Sequence, residues 1–316
     1  MTAPGAVYPH LYGPVPSRRL GLSLGVDIVP FKVCSYNCVY CQLGRTPATT
    51  TTRGAYEPVA AVLDEVRRKV AEPGFKADWI TLGGSGEPTL HSGIGRLIAG
   101  IKALTAVPVA VLTNGSLFHD PAVRRDVAEA DLLLPTLTAS SAAVFNRIHR
   151  PHPGMDFAAM CAGLEALARE YKGRVWLEVF LVPGMNTDPA ALADLKVAVG
   201  RIKPERIHLN TAVRPPAEAG VRAMDRAELE RVRAFFGPGC EVIAEPPVAA
   251  APAAGTATAS EILGFLERRP GTVADLAEGL GREPEAVRAV LKQLAAAGRV
   301  RAAPSPRGEA YMFVRE

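Results

Sequence analysis

The side chains best suited to chemistry in this sequence are three thiols. Cys34, Cys38 and Cys41 fall within the eight residues CSYNCVYC, while Cys161 and Cys240 lie far downstream. Thiolates are soft ligands that suit zinc, copper(I) and iron–sulfur clusters. A structural zinc site wants four ligands, usually in paired CxxC knuckles, and no second pair follows. The spacing of the three also suits a buried stripe of small side chains on one helix face. Polar Ser35 and Asn37 within the run, Pro30 before it and Gly44 after it favour a structured loop instead. The third and most specific reading is a [4Fe–4S] cluster held by three cysteines, which leaves one iron open to a small molecule.

Cx3Cx2C with an aromatic residue, Tyr40, just before the last cysteine resembles the signature of the radical S-adenosylmethionine (SAM) superfamily. The resemblance implies that Cys34, Cys38 and Cys41 hold the cluster and that SAM chelates its open iron. It further implies one-electron cleavage of SAM to methionine and a 5′-deoxyadenosyl radical, chemistry that belongs to the cofactors while the protein positions them. An electron donor such as flavodoxin or ferredoxin follows as a partner. Downstream, Gly83-Gly84-Ser85-Gly86-Glu87-Pro88 reads by itself as a strand-to-helix turn. Beside the cysteines it resembles the superfamily's GGEP-type motif, which makes Gly84, Gly86 and Glu87 expected SAM contacts, with the carboxylate facing the SAM ammonium. Thr113-Asn114-Gly115 resembles a strand end near the SAM ribose and carboxylate, so Thr113 and Asn114 join that set. The phrase GPVPSRRLG, followed by the cysteine loop and QLGRT, resembles a branch related to tRNA-wyosine synthases over residues 8–245. Those tRNA enzymes carry a second cluster on extra upstream cysteines, whereas residues 1–33 here contain none. The substrate therefore stays open between RNA and a protein or peptide.

The elements that must position these residues are legible as an alternation. Residues 8–29 read as Pro- and Gly-punctuated coil ending in a strand over Leu24–Val29. Val59, Val62, Leu63, Val66 and Val70 mark one helix face, and 78–82 a buried strand. Helices near 94–105, 121–129, 157–171, 189–201 and 227–236 then alternate with strands at 107–113, 131–137, 174–182, 206–209 and 240–244. Such alternation implies right-handed βαβ units and a parallel sheet. Six to seven units are fewer than a closed eightfold barrel needs, so the expected class is α/β, an open partial (β/α)6-type barrel. Function then gathers at the C-terminal strand ends, which brings in Thr136, Thr138, Glu178, Asn186, His208 and Asn210. Arg18 and Arg19 are either solvated surface or a forked clamp for an anion such as phosphate. The polar run 145–152, with Arg147, His149, Arg150 and His152, is read as a loop, either surface charge or the border of the substrate mouth. Cys161 sits on the apolar face of its helix and is expected in the core.

Residues 244–258, AEPPVAAAPAAGTAT, form a Pro/Ala-rich tract read as a linker between a radical SAM barrel at 1–243 and a second domain at 259–316. Its lack of periodicity predicts few contacts across it and independent folding on either side. Beyond it, helical segments at 261–269, 273–280 and 284–297 precede two strands around Pro304-Ser305-Pro306-Arg307-Gly308. This pattern resembles a winged helix-turn-helix domain, with 285–297 as recognition helix and Arg301 and Arg307 on the wing. Its nine basic and eight acidic residues leave a net charge of +1, far from the footprint of a strong DNA binder.

Hydrophobic residues make up 48% of the 316, enough for a sizeable core and against global disorder. The net charge of +4 is too weak to imply nucleic acid by itself. No apolar stretch long enough to span a membrane and no signal peptide are read, so no membrane contact is expected. Few cysteines, grouped as ligands, suit a reducing cytoplasm. A rival of another class is a transcription regulator whose cluster senses redox state while the winged helix binds DNA. A Gly-rich SAM cradle is superfluous for a sensor.

Overall fold

A computed structural model describes residues 8–139, 141–244 and 257–315. Eight strands lie side by side in chain order: β1 (Leu11–Ser17), β2 (Gly21–Val26), β3 (Trp79–Leu82), β4 (Val109–Thr113), β5 (Leu132–Leu137), β6 (Arg174–Leu181), β7 (Arg206–Thr211) and β8 (Cys240–Val242). Strands β2 to β8 are parallel and β1 pairs antiparallel with β2 at the edge. The crossovers are α1 (Val59–Val70), α2 (Ile94–Leu104), α3 (Pro121–Asp126), α4 (Ala142–His149), α5 (Phe157–Glu170), α6 (Pro189–Ile202) and α7 (Arg226–Phe236). No pairing joins β1 to β8 among the described residues, so the α/β barrel is open.

Two expectations change here. The lead-in is not coil: β1 and β2 form a hairpin, and Pro14 and Pro16 are tolerated because β1 is an edge strand. Residues 142–149 are not loop but α4, started by Ser141 accepting from the Val144 amide and burying Phe145, Ile148 and His149. Its charged residues masked an apolar face of only three side chains.

The period of two along each strand separates the faces of the sheet. Leu24, Val26, Ile80, Leu82, Val111, Leu133, Leu177, Val179 and Leu209 point outward into one continuous core with the helices. Cys161 is half-buried against that core, as its helical position predicts. The inner face is different. At the start of the strands, Leu20, Ala110, Leu132, Leu134 and Trp176 plug the barrel. Beyond that plug the inward positions become polar, with Thr136, Glu178 and Asn210.

The C-terminal unit comprises α8 (Ala259–Leu266), β9 (Gly271–Thr272), α9 (Val273–Leu280), α10 (Pro284–Ala296), β10 (Val300–Ser305) and β11 (Gly308–Phe313), with the strands in the order β10-β11-β9. Gly281 ends α9 at φ 61°, the left-handed turn that lets α10 fold back. Most of the 244–258 tract lies outside the described residues. The two sides it joins share a core, contrary to the expectation that few contacts cross. Val15 of β1, 6% exposed, is buried with Ile262, Phe265, Leu276, Val287 and Leu291, and Tyr12 packs against the same cluster. Arg268 adds a hydrogen bond across the junction, to the carbonyl of Pro9 at 2.6 Å. Burying one valine is worth roughly 1.5–3 kcal/mol, so this contact is an integral part of the fold.

Candidate cofactor site

The loop after β2 carries the three cysteines, and three anchors give it a fixed shape. At its start, Lys32 N donates to Ser85 O at 2.8 Å and Glu87 N donates to Val33 O at 2.9 Å, lacing it to the Gly-rich loop after β3. Gly86 permits this approach: a Cβ there would stand 2.1 Å from Val33 O. A Cβ on Gly84 would meet the Asp27 carboxylate at 2.7 Å, and that carboxylate accepts from the amide and hydroxyl of Ser85. In its middle, Asn37 N and Val39 N donate to the carbonyls of His149 and Ile148, both at 2.9 Å, at the end of α4. A third anchor is the Tyr40 ring, stacked on Phe180 of β6 at 3.8 Å.

Cys34, Cys38 and Cys41 line one cavity of about 270 Å³, together with Tyr40, Asn114 and Glu178. Each sulfur has a polar neighbour. Asn114 Nδ2 lies 3.6 Å from Cys34 Sγ, His149 Nδ1 lies 3.2 Å from Cys38 Sγ, and Lys32 Nζ donates to Cys41 Sγ at 3.2 Å. Burial pushes the Cys34 thiol up to about 12, with the Glu87 carboxylate adding to the effect, and raises Cys38 well above the ordinary thiol value. Thiolates at Cys34 and Cys38 are therefore unfavourable by themselves and need metal cations to replace their protons. Among the described residues, no three His, Cys, Asp or Glu side chains converge closely enough for a single ion. A cubane, whose corners bind separate thiolates, is served by three sulfurs around a wider cavity. The donor set fits a [4Fe–4S] cluster.

Glu87 is buried beside the end of β4. Its carboxylate accepts from Thr89 N at 3.0 Å, Thr89 Oγ1 at 2.6 Å, Thr113 Oγ1 at 2.6 Å and Asn114 N at 2.7 Å. Three of these donors meet Oε1 and one, the Asn114 amide, meets Oε2. The side chain, 2% exposed, faces the end of β4 rather than the cavity. Burial raises its pKa against the pull of those hydrogen bonds. Thr113 is likewise turned to Glu87 and the Gly115 amide. Asn114 is the member of the expected SAM set that lines the cysteine cavity, with its Nδ2 held by Ser35 Oγ at 2.9 Å.

Other candidates divide cleanly. Arg18 and Arg19 are not solvated: they turn into the barrel, Arg19 pairing with Glu178 and Arg18 donating to Asn210 Oδ1 and Ile243 O, both at 3.0 Å. Asn186 is a structural tie, bonded to the Val182 amide and to the carbonyls of Thr138 and Phe180. His208 is 1% exposed and edge-on to Trp176, with no partner on Nδ1. Of the run 145–152, His149 and Phe145 meet the cysteine loop through their side chains, at Cys38 and Tyr36, while Arg147 and Arg150 are tied to Met185 O and Glu218. Lys32 and Ser35 escaped the sequence reading. Their closeness in sequence to Cys34 is the signal that points to them.

Comparison with known proteins agrees with this geometry. The model of the family described as the radical SAM superfamily matches residues 28–195. The UPF0026 protein of Methanocaldococcus jannaschii is 30% identical, over 71% of this chain and 70% of that one. A Brachyspira hyodysenteriae protein named GTPase Obg is 38% identical over 92% of this chain, which spans only 43% of that protein's length. Among solved structures, Streptococcus suis SuiB bound to S-adenosylmethionine superposes with a TM-score of 0.53 at 13% identity, covering 71% of this chain and 51% of that one. At that identity the likeness is one of fold.

Proposed function

Because the chain belongs to the radical SAM superfamily and to the UPF0026 family, we propose that Cys34, Cys38 and Cys41 hold its cluster and that Asn114 contacts its SAM. The cofactors are a [4Fe–4S] cluster and SAM. Held by these residues, they would supply one-electron radical chemistry for hydrogen abstraction from substrate. The observation that carries the reading is the convergence of the three cysteines and Asn114 on one cavity.

The chain's own residues divide the remaining work. Lys32 and Asn114 place N–H donors at the sulfurs of Cys41 and Cys34, which offsets negative charge and tunes the site as outer-shell hydrogen bonds do. Tyr40 and Phe180 form an apolar stacked wall that excludes water from one side. Glu87 and Thr113, with Gly84 and Gly86, hold the cysteine loop, the Gly-rich loop and the β4 end in one register, a positioning role. Glu178 and Asn210, on the inner strand ends, face the substrate side of the cavity. An electron donor of the flavodoxin or ferredoxin kind would approach the cysteine loop.

We read the C-terminal unit as a winged helix that forms part of the substrate site, with RNA or a protein as substrate. Arg301 is exposed on β10, but Arg307 at the wing tip is turned inward to Asp275 at 2.8 Å. A unit so engaged with the barrel suits substrate binding better than operator recognition, and nothing among the relatives supports the regulator reading. The test is anaerobic reconstitution followed by iron and sulfide analysis and chromatography of SAM products. One cluster per chain and 5′-deoxyadenosine are expected, both lost in Cys34→Ala, Cys38→Ala and Cys41→Ala and kept in Cys161→Ala and Cys240→Ala. Normal iron content in Cys38→Ala, or S-adenosylhomocysteine as the sole product, overturns the reading.

A further inference from the structure

A second cavity, of about 190 Å³, lies between the barrel and the C-terminal unit, and six arginines line it: Arg18, Arg19, Arg214, Arg268, Arg269 and Arg307. The cations come from four separate stretches of chain that only the tertiary fold brings together. Arg18, Arg19, Arg214 and Gln42 also line the cysteine cavity, so the two spaces adjoin.

The charge in this cavity does not balance. Arg19 is matched by Glu178, Arg307 by Asp275 at 2.8 Å and, more loosely, Arg268 by Asp27 at 3.9 Å. The other three have no carboxylate partner among the described residues. Arg18 bonds only neutral oxygens, on Asn210 and Ile243, and Arg214 bonds only Gln42 Oε1 at 2.8 Å, leaving its buried Nε unpartnered. Among the described residues Arg269 makes no side-chain hydrogen bond or ion pair, and it lies over the Phe265 ring at 4.3 Å. Glu278, the remaining acid in the lining, forms no ion pair, and its Oε1 has no partner. Burial and mutual repulsion lower the pKa of Arg18 to about 10 and hold that of Arg214 well below the usual arginine value, so the surplus is held at a cost. Desolvated cations without partners are among the most expensive groups a fold can keep, and a bound anion offsets that expense. A single carboxylate would neutralise one of the three. A phosphate presents up to two charges and several acceptor oxygens, matching guanidinium forks converging from different sides. At ~30 Å³ per water the space holds about six waters, enough for a phosphate or pyrophosphate.

We propose that this arginine-lined cavity binds a phosphate group of the substrate and so fixes the substrate's reacting portion in the adjoining cysteine cavity. A nucleotide or RNA substrate is thereby favoured over a protein. That the anion belongs to the substrate rests on the radical SAM reading; that the cavity binds phosphate does not.

The experiment measures binding of inorganic pyrophosphate to the full cluster-loaded chain by calorimetry and thermal shift at low ionic strength, with no turnover required. Saturable binding and a raised melting temperature are expected. Arg269→Gln should weaken binding about tenfold or more, since charge-assisted contacts are the strong ones, and Arg269→Lys should fall between. The exposed Arg231→Gln control should match the wild type. Without ligand, Arg269→Gln should melt no lower than wild type, because it removes a cation that burial disfavours, whereas a structural arginine would destabilise when lost. A wild type indifferent to pyrophosphate, or Arg269→Gln binding unchanged, overturns the proposal. A poly-glutamate peptide binding as tightly would assign the cavity to carboxylates of a protein, and displacement of pyrophosphate by SAM would assign it to the cofactor. Either result also overturns it. Failure of SAM cleavage with pyrophosphate binding intact would instead count against the proposed reaction alone.

Discussion

Replacing Glu87 by glutamine should loosen the cofactor site by leaving one backbone amide unpaired. The carboxylate accepts from the amides of Thr89 and Asn114 and from the hydroxyls of Thr89 and Thr113, with two of the four donors fixed in the backbone. Glutamine offers one oxygen and one NH2. Turned one way, the NH2 opposes Asn114 N–H; turned the other, it opposes Thr89 N–H. The hydroxyls can rotate to accept, but an amide cannot, so either orientation strands one buried donor at a cost of about 1–3 kcal/mol. Glu87→Ala strands both amides and leaves a void, roughly 3–6 kcal/mol together, a large share of the ~5–15 kcal/mol that stabilises a typical domain. Urea unfolding followed by circular dichroism, run anaerobically on cluster-loaded protein, measures both, while equilibrium dialysis measures SAM affinity. Stability and affinity should fall together, moderately in Glu87→Gln and severely in Glu87→Ala. Wild-type stability in Glu87→Gln with SAM binding nearly abolished would refute this reasoning, because it would mean that the carboxylate meets the SAM ammonium directly.

Val15→Ala should destabilise the chain by about 2 kcal/mol from lost burial and residual cavity. Because Val15 lies in the C-terminal unit's core while belonging to β1, calorimetry should show barrel and C-terminal unit affected together. An unchanged melting profile would show that the shared core carries no energy. Burial, with Arg19 and Arg206 adding, lowers the pKa of His208 from 6.5 to about 4, and Glu241 is 3.9 Å from its Nε2. Its stabilising contribution is therefore complete above the unfolded-state value and is lost as pH falls through the window from 6.5 toward 4. That loss amounts to about 3 kcal/mol. Stability of His208→Phe should be flatter by that amount across the window, and an unchanged acid slope would count against a neutral buried His208.

Local spacing made the cysteine triplet, the Gly-rich turn and the helix–strand alternation legible, because each is a property of a few consecutive residues. Three sulfurs within eight positions restrict the metal chemistry before any fold is known. Periods of 3.6 and 2 mark which faces must be buried. The parallel sheet and the open barrel followed from that alternation and from connection rules, and both are present.

What the sequence could not decide is where side chains meet across long separations. Residues 11–17 read as coil because glycine and proline dominate local preference, yet pairing with β2 makes them an edge strand. Arg18 and Arg19 read alike as surface or clamp, and the choice depended on Asn210 and Glu178, more than 150 residues away. Glu87 matched a motif, but whether its carboxylate faces a ligand or the protein depended on the position of Thr113 and Asn114 at the end of the next strand. The surplus of arginines between the barrel and the C-terminal unit is invisible in a net charge of +4. Charge along a chain is a sum, whereas the energy of a buried cation depends on which neighbours the fold places within a few ångströms of it.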